Sequence, residues 1–259
     1  MGLPEEVGPK TEEFLLALAN VAVANVVSPP DEVAARDMIV SNALNHFKTW
    51  GGKWDPAVDK LGPSNLKIAG KFCSDTTTRA RQGGAQMYTI FSVAGHPQAM
   101  RCLTISEESV KMYNRPGGYS AKERNNTDIC SWCGIFALYI YKISGLRKMP
   151  AWDDLKVYGV SSEGGKLLPK ERCQLTTSAT PKKGDIGVIG AREVKDAAGN
   201  VIIKMGQNHH FIVTDVKNGS VDSVDGNAGA SMEILTNSYQ ISNVLKSGGF
   251  YTPIWENCR

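Results

Sequence analysis

The sequence predicts an α+β fold, with helices first, one apolar helix in the middle, and an antiparallel sheet after it. Three observations predict this order. Residues 10–50 read as helical, residues 126–145 form an apolar run with almost no polar face, and residues 181–227 break into short β segments separated by turn residues. Strands that follow helices in blocks, instead of alternating with them, mark an α+β chain.

The first helix is predicted over "DEVAARDMIVSNALNHF", with Asp31 as a cap after Pro30 and with Val33, Ala34, Met38, Ala43, Leu44 and Phe47 at helical spacing. His46, near its end, reads as a surface or packing residue. The earlier stretch Leu15–Val27 is apolar but contains Asn20 and Asn25. It falls short of the roughly 18 apolar residues of a membrane span. The acidic "PEEVGPKTEEF" before it lacks the cations of a signal peptide, so a buried helix is expected. Residues 51–120 are punctuated by Gly and Pro, and "QMYTIFSVAG" within them fits strand or helix equally. His96 lies in a turn and receives no role.

Asn126, Thr127 and Asp128 offer caps for the central helix, and Gly145 a natural stop. Ile129, Trp132, Ile135, Phe136, Leu138, Ile140 and Ile143 cover nearly every face, which places this helix in the interior. Beyond a linker, "PKKGDIGVIG" (181–190) reads as turn then strand, and "VKDAAGNVIIK" (194–204) as a hairpin. "NHHFIVTDVKNGSVDSVDGN" (208–227) reads as two strands around Lys217-Asn218-Gly219.

At 259 residues and 42% hydrophobic, the chain can form one large domain, or a domain with an accessory region. The net charge of +3, with acids and bases interspersed, gives no reason to expect a nucleic-acid partner. Glu6 stands where myristoylation wants Ser or Thr. Synthesis in the cytosol is therefore expected, with no visible signal peptide and no membrane span. Six cysteines in so long a chain do not make a dense disulfide framework, and most of them read as buried small hydrophobes.

Two of the six open the central run, in "NTDICSWCGIFALYIY" (126–141). A redox C-x-x-C wants a strand before it, and the preceding segment is polar loop. A zinc site from Cys130, Cys133, His209 and His210 has the right ligand types, but adjacent residues of a strand point to opposite faces. A nucleophile needs a thiol at a helix N-terminus, a histidine from elsewhere, and a polar group to orient that histidine. Cys133, the histidines at the start of a strand, and "DGN" at the end of the next strand supply that set.

Three stretches resemble the papain-like cysteine amidases and peptidases of bacterial cell walls, the NlpC-type and CHAP families. "SWCGIFALYIY" is similar to their nucleophile helix, and a subgroup has Trp before the Cys, as Trp132 precedes Cys133. "PKKGDIGVI" resembles their "pGDlvvf" strand, and "NHHFIVTDVKNGSVDSVDGN" their "HvGIV…EGN" hairpin. The motifs occur in family order over about residues 119–228, and the first 115 residues match no family pattern. The resemblance implies a papain-like catalytic domain over 116–259, a nucleophile helix packed on an antiparallel sheet, and a helix-rich N-terminal region over 1–115 of unknown role. It makes Cys133 the nucleophile, His209 the base and Asn227 the residue that orients the base. Asp225 is an acid beside it, and His210 and Trp132 are supporting residues. Cys130 becomes packing or a disulfide partner. No metal or organic cofactor is implied. Phe211 departs from the pattern, which has Gly two places after the histidine.

Hairpin register bears on the choice of histidine. A two-residue turn at Asn218-Gly219 pairs Lys217 with Ser220, and counting outward sets His210 opposite Asn227. A three-residue loop pairs Val216 with Ser220 and sets His209 there instead. The resemblance favours His209. It also implies hydrolysis of amide bonds in bacterial peptidoglycan, as amidase or endopeptidase, by a phage lysin or an injected antibacterial effector acting in the periplasm or wall of a target cell. A cognate inhibitor (immunity) protein would fit such an effector. The other readings are a protease, deamidase or transglutaminase-like toxin acting on a peptide or protein, and a wall-binding domain without catalysis.

Overall fold

The computed structural model describes residues 28–50, 84–94, 132–150, 173–190, 192–195, 201–205, 209–228 and 233–258. The apolar stretch Leu15–Val27, the caps at 126–128, Cys130 and His96 lie outside the described residues.

Helix α1 spans Glu32–Trp50, and Asp31 caps it as expected: its Oδ1 accepts a 2.8 Å hydrogen bond from the Ala34 N–H. The stretch that fitted strand or helix is helix α2, Gly84–Val93. Ile90 and Phe91, both fully buried, settle it there by packing in the same core as α1 and the central helix. That central helix is α3, Cys133–Ile143, and every residue from Cys133 to Tyr141 is buried. An apolar run without a polar face needs partners all round, and α3 has α1 and α2 on one side and the sheet on the other.

The strands are β1 Leu175–Ser178, β2 Ile186–Ile189, β3 Arg192–Lys195, β4 Val201–Met205, β5 His209–Lys217, β6 Ser220–Ala228, β7 Glu233–Gln240 and β8 Gly249–Pro253, with helix α4, Ile241–Ser247, between the last two. Six of them form an antiparallel sheet in the order β1-β8-β2-β5-β6-β7, and β3 and β4 pair separately as the hairpin expected near 194–204. The molecule is thus α+β, with an antiparallel sheet and a few helices.

Strand alternation gives the sheet two different faces. Ile186, Val188, Ile212, Val224 and Ile234 join the core around α3. Phe211, Val213, Val221 and Phe250 join Val244 of α4 in a second cluster. The first cluster includes Ala35, Ile39 and Ala43 of α1, so helices from the N-terminal 115 residues pack directly on the helix that Cys133 opens. A buried ion pair reinforces this. Arg36 Nη1 donates to Asp185 Oδ1 at 2.8 Å and to the Lys183 carbonyl at 2.7 Å, with its guanidinium over the Trp255 ring.

One expectation from the cysteine count needs correction. Cys173 and Cys258 are not isolated small hydrophobes; they form a disulfide across 85 residues of chain. The bond fastens the C-terminal 3₁₀ turn, Trp255–Asn257, to the segment entering β1. Among the described residues, no helix is long and apolar enough to cross a membrane.

Candidate active site

Cys133 is the first residue of α3 and His209 the first residue of β5, so the candidate site lies where these elements begin. At the start of α3 the Phe136 N–H donates to the Trp132 carbonyl at 2.9 Å, and first-turn amides as a class have no acceptor within their own helix. The helix dipole adds partial positive charge at the thiol.

The β5–β6 register combines the two alternatives read from the sequence. The turn is the two-residue one: Lys217 pairs with Ser220, across Asn218 and a Gly219 at φ +78°. The expected three-residue loop is therefore corrected. A bulge at Thr214 then shifts the pairing by one residue, so that Val213 faces Ser223 and Ile212 faces Val224. The paired rows of β5 and β6 end at Ile212 and Val224, and β6 is irregular again between Asp225 and Ala228, where the site residues stand.

The thiol is in contact with His210: its Nδ1 lies 3.5 Å from Cys133 Sγ. His209 stands close enough to act on the thiol's charge as well, and both histidines lower the Cys133 pKa. His210 follows the alternation and sits on the α3 face with Ile212. His209 is the first residue of β5, paired with Ile189 of β2. The two rings differ in exposure: His210 is 1% exposed, and the His209 side chain 28%.

Behind His209 lies a carboxylate. His209 Nε2 is 2.8 Å from Asp225 Oδ2, and Asp225 is fully buried. The same carboxylate accepts from Ser223 Oγ, from Asn237 Nδ2 at 2.9 Å, and from Tyr239 Oη. With Nε2 engaged by Asp225, the nitrogen left to address the thiol is Nδ1. The contact on the Nε2 side of the ring is made by Asp225. Asn227 stands between Gly226 and Ala228 at φ +58°, a left-handed backbone that takes its side chain out of the strand's alternation.

These contacts set the charges. Burial pushes the Cys133 thiol up, but hydrogen bonds with His209 and His210 overcome it and hold the group well below its ordinary value. Burial lowers His209 in turn, and its bonds to Asp225 and Cys133 outweigh that and raise it to about 10. Between them the two groups favour a thiolate beside an imidazolium.

The remaining predicted residues frame this pair. Trp132 is fully buried immediately before the thiol, edge-on to Phe136 at 6.1 Å. Both lie against Gly226, where an added Cβ would come within 2.6 Å of Phe136 Cβ and 2.9 Å of Trp132 Cζ3. Phe211, the departure from the family pattern, belongs to the cluster around α4, stacked on Tyr239 at 4.5 Å. Its ring occupies the space that a side chain on Gly187 would take. His46 is a packing residue, with its Nε2 2.8 Å from the Tyr139 hydroxyl. The zinc and redox readings both require Cys130, which lies outside the described residues; among those described, no three His, Cys, Asp or Glu are arranged to hold a metal ion.

Sequence reading missed Ser223, Asn237 and Tyr239. Ser223 sits two residues before Asp225 on β6, a spacing that places it on the same face, and this was available from period-two counting. Asn237 and Tyr239 belong to β7, a strand the sequence did not disclose. No family model matches this sequence, and no curated protein or solved structure matches it significantly.

Proposed function

We propose that this protein is a papain-like cysteine hydrolase that cleaves amide bonds of bacterial peptidoglycan. The observation that carries the chemistry is the gathering of a thiol at a helix start, an imidazole 3.5 Å from it (His210), and a second, adjacent imidazole (His209) bonded to the buried Asp225 carboxylate and acting on the thiol's charge. The substrate class rests on the likeness of the three sequence motifs to the NlpC-type and CHAP enzymes.

The reaction follows from the arrangement. The Cys133 thiolate attacks the amide carbon; a C–S bond forms and the carbonyl π pair moves to oxygen. First-turn amides have no acceptor within their own helix, and those of α3 are suited to stabilise that oxyanion. As the intermediate collapses, the C–N bond breaks, and His209 gives its proton to the departing amine. Its partial exposure suits it to meet the leaving group. Neutral His209 then takes a proton from water as the water attacks the thioester, and the C–S bond breaks to restore thiolate and imidazolium. Asp225 keeps the ring oriented and its charge compensated throughout.

An enzyme of this kind would act outside the producing cell, as a lysin or an injected effector, and an inhibitor protein covering the thiol would protect the producer. The test is incubation with purified peptidoglycan, followed by assay of new amines and mass spectrometry of the released fragments. Fragments cut at an amide by the wild type and not by Cys133→Ala are the expected result. Cutting by both proteins would overturn the mechanism. A wild type that leaves peptidoglycan intact but modifies a protein in a cell lysate, in a Cys133-dependent way, would overturn the substrate alone.

A further inference from the structure

We infer that His210 is a second catalytic imidazole, which donates a hydrogen bond from Nδ1 to the Cys133 sulfur and holds the thiolate while His209 carries the proton. This rests on the cysteine-hydrolase reading above and adds a residue to it. A thiol with one base needs one imidazole; here His210 lies on the sulfur, and the adjacent His209, held by Asp225, acts on the same thiol.

Three observations separate their work. The His210 ring nitrogen lies 3.5 Å from Sγ, within hydrogen-bonding distance of a sulfur acceptor. His210 is 1% exposed, against 28% for the His209 side chain, so His209 has access to a leaving group and His210 has not. Asp225, the buried carboxylate that would compensate an imidazolium, bonds His209. The titratable groups gathered at the thiol, among the described residues, are these two histidines, with Asp225 behind the first. A neutral His210 that keeps its Nδ1 proton can stay bonded to sulfur through attack and collapse. No bond to it forms or breaks, and it moves no proton. Its effect is to favour thiolate over thiol at pH values where His209 alone would hold less of it.

A hydrogen bond to a charged acceptor corresponds to roughly 10- to 100-fold in an equilibrium, or about one to two pH units in the thiol's titration. Two probes read this without knowledge of the natural substrate. Iodoacetamide alkylation against pH reports the thiolate, and the acylation burst with p-nitrophenyl acetate reports acyl transfer. In His210→Ala, the acid limb of both profiles should move up by about one to two units, with melting temperature recorded to confirm folding. His210→Asn, whose amide N–H falls near the position of Nδ1, should recover most of that shift. In His209→Ala, acyl transfer to amide substrates should be lost, while alkylation near pH 8 persists.

An unmoved acid limb in folded His210→Ala would make His210 a packing residue and overturn the inference. So would a folded His210→Asn as impaired as His210→Ala. Loss of amide turnover in His210→Ala with retention in His209→Ala would reverse the two roles and overturn it as well. Each of these results leaves Cys133 as nucleophile. Acylation undiminished in Cys133→Ala would instead bring down the hydrolase reading on which the inference stands.

Discussion

Replacing Asp225 by Asn removes one charge at the back of the site and changes little volume. In the native protein the carboxylate is fully buried, lies 2.8 Å from His209 Nε2, and accepts three further hydrogen bonds from Ser223, Asn237 and Tyr239. A charge-assisted bond of this kind contributes about 1.5–3 kcal/mol, and one pKa unit corresponds to about 1.4 kcal/mol. His209, held at about 10, should therefore fall by about one to two units in Asp225→Asn. The imidazolium still predominates near neutral pH, and the alkaline limb of amide turnover should move down by the same one to two units, so that activity near pH 9 drops by up to about 10-fold. NMR titration of the His209 ring protons, assigned by their loss in a His209 variant, reads the shift directly. Tyr239→Phe serves as the opposite control. It takes a donor away from the carboxylate and leaves the carboxylate in place, so His209 should titrate at or above its native value. A His209 titration unchanged in Asp225→Asn, with the native melting profile retained, would refute the assignment of Asp225 as the group that holds the imidazolium.

Three further outcomes are expected. Gly226→Ala should cost about 1–3 kcal/mol in urea unfolding, because its Cβ would lie 2.6 Å from Phe136 Cβ; a neutral result would mean that α3 does not sit this close to β6. Replacing both Cys173 and Cys258 by Ala should cost about 4.5 kcal/mol by loop entropy for a separation of 85 residues, and a loss under about 1 kcal/mol by urea titration would count against that entropy account. The third concerns stability against pH. His209 has a folded value of about 10 against an ordinary 6.5, so its contribution is complete below 6.5 and is lost as pH rises through about 10. Cys133 is depressed below an ordinary 9.0, so its contribution is complete above 9.0 and is lost as pH falls through its folded value. Between 6.5 and 9.0 the folded pair and the unfolded pair each bind one proton, and stability from this pair should be level. It should decline on both sides, and replacing Cys133 with Ala should abolish that plateau in urea titrations run across pH.

Much of the fold was legible because the relevant signals are local. Asp31 reads as a cap and is one, and the uninterrupted apolar surface of α3 demands an interior position that it has. The β2 strand and both hairpins announce themselves through turn residues flanking short apolar runs. β7 and β8 were not legible. Glu233–Gln240 opens with the buried Glu233 and Ile234 and then alternates half-buried and exposed residues, mostly polar, at the sheet edge, and Gly249–Pro253 begins with glycine and ends with proline. Neither carries the apolar density that marks a strand, and each is held by the partner strand it finds. The disulfide was illegible for the same reason, since its two cysteines meet only once β8 and the C-terminal turn are in place. For the candidate site, Cys133, His209, His210 and Asp225 were all singled out from the sequence, and the structure gathers them. The polar network on Asp225 was half hidden, because two of its donors stand on the strand that sequence could not reveal.

The histidine pair shows where counting from a turn stops being a rule. Period-two alternation is enforced by a ladder of hydrogen bonds on either side of a residue, and it holds along the interior of β5, where Phe211 and Ile212 join opposite clusters. Both histidines still stand in the ladder with β2, His209 paired with Ile189 and His210 with Val188. His210 presents Nδ1 3.5 Å from Cys133 Sγ, while His209 is held by Asp225 through Nε2 and acts on the charge of the thiol. The Thr214 bulge shifts the β5–β6 rows by one residue between the tight Asn218-Gly219 turn and the pair Ile212–Val224, and β6 is irregular a second time between Asp225 and Ala228. Two irregularities thus stand between the turn and the site, which is why residue counting from Asn218-Gly219 could not by itself assign the histidines.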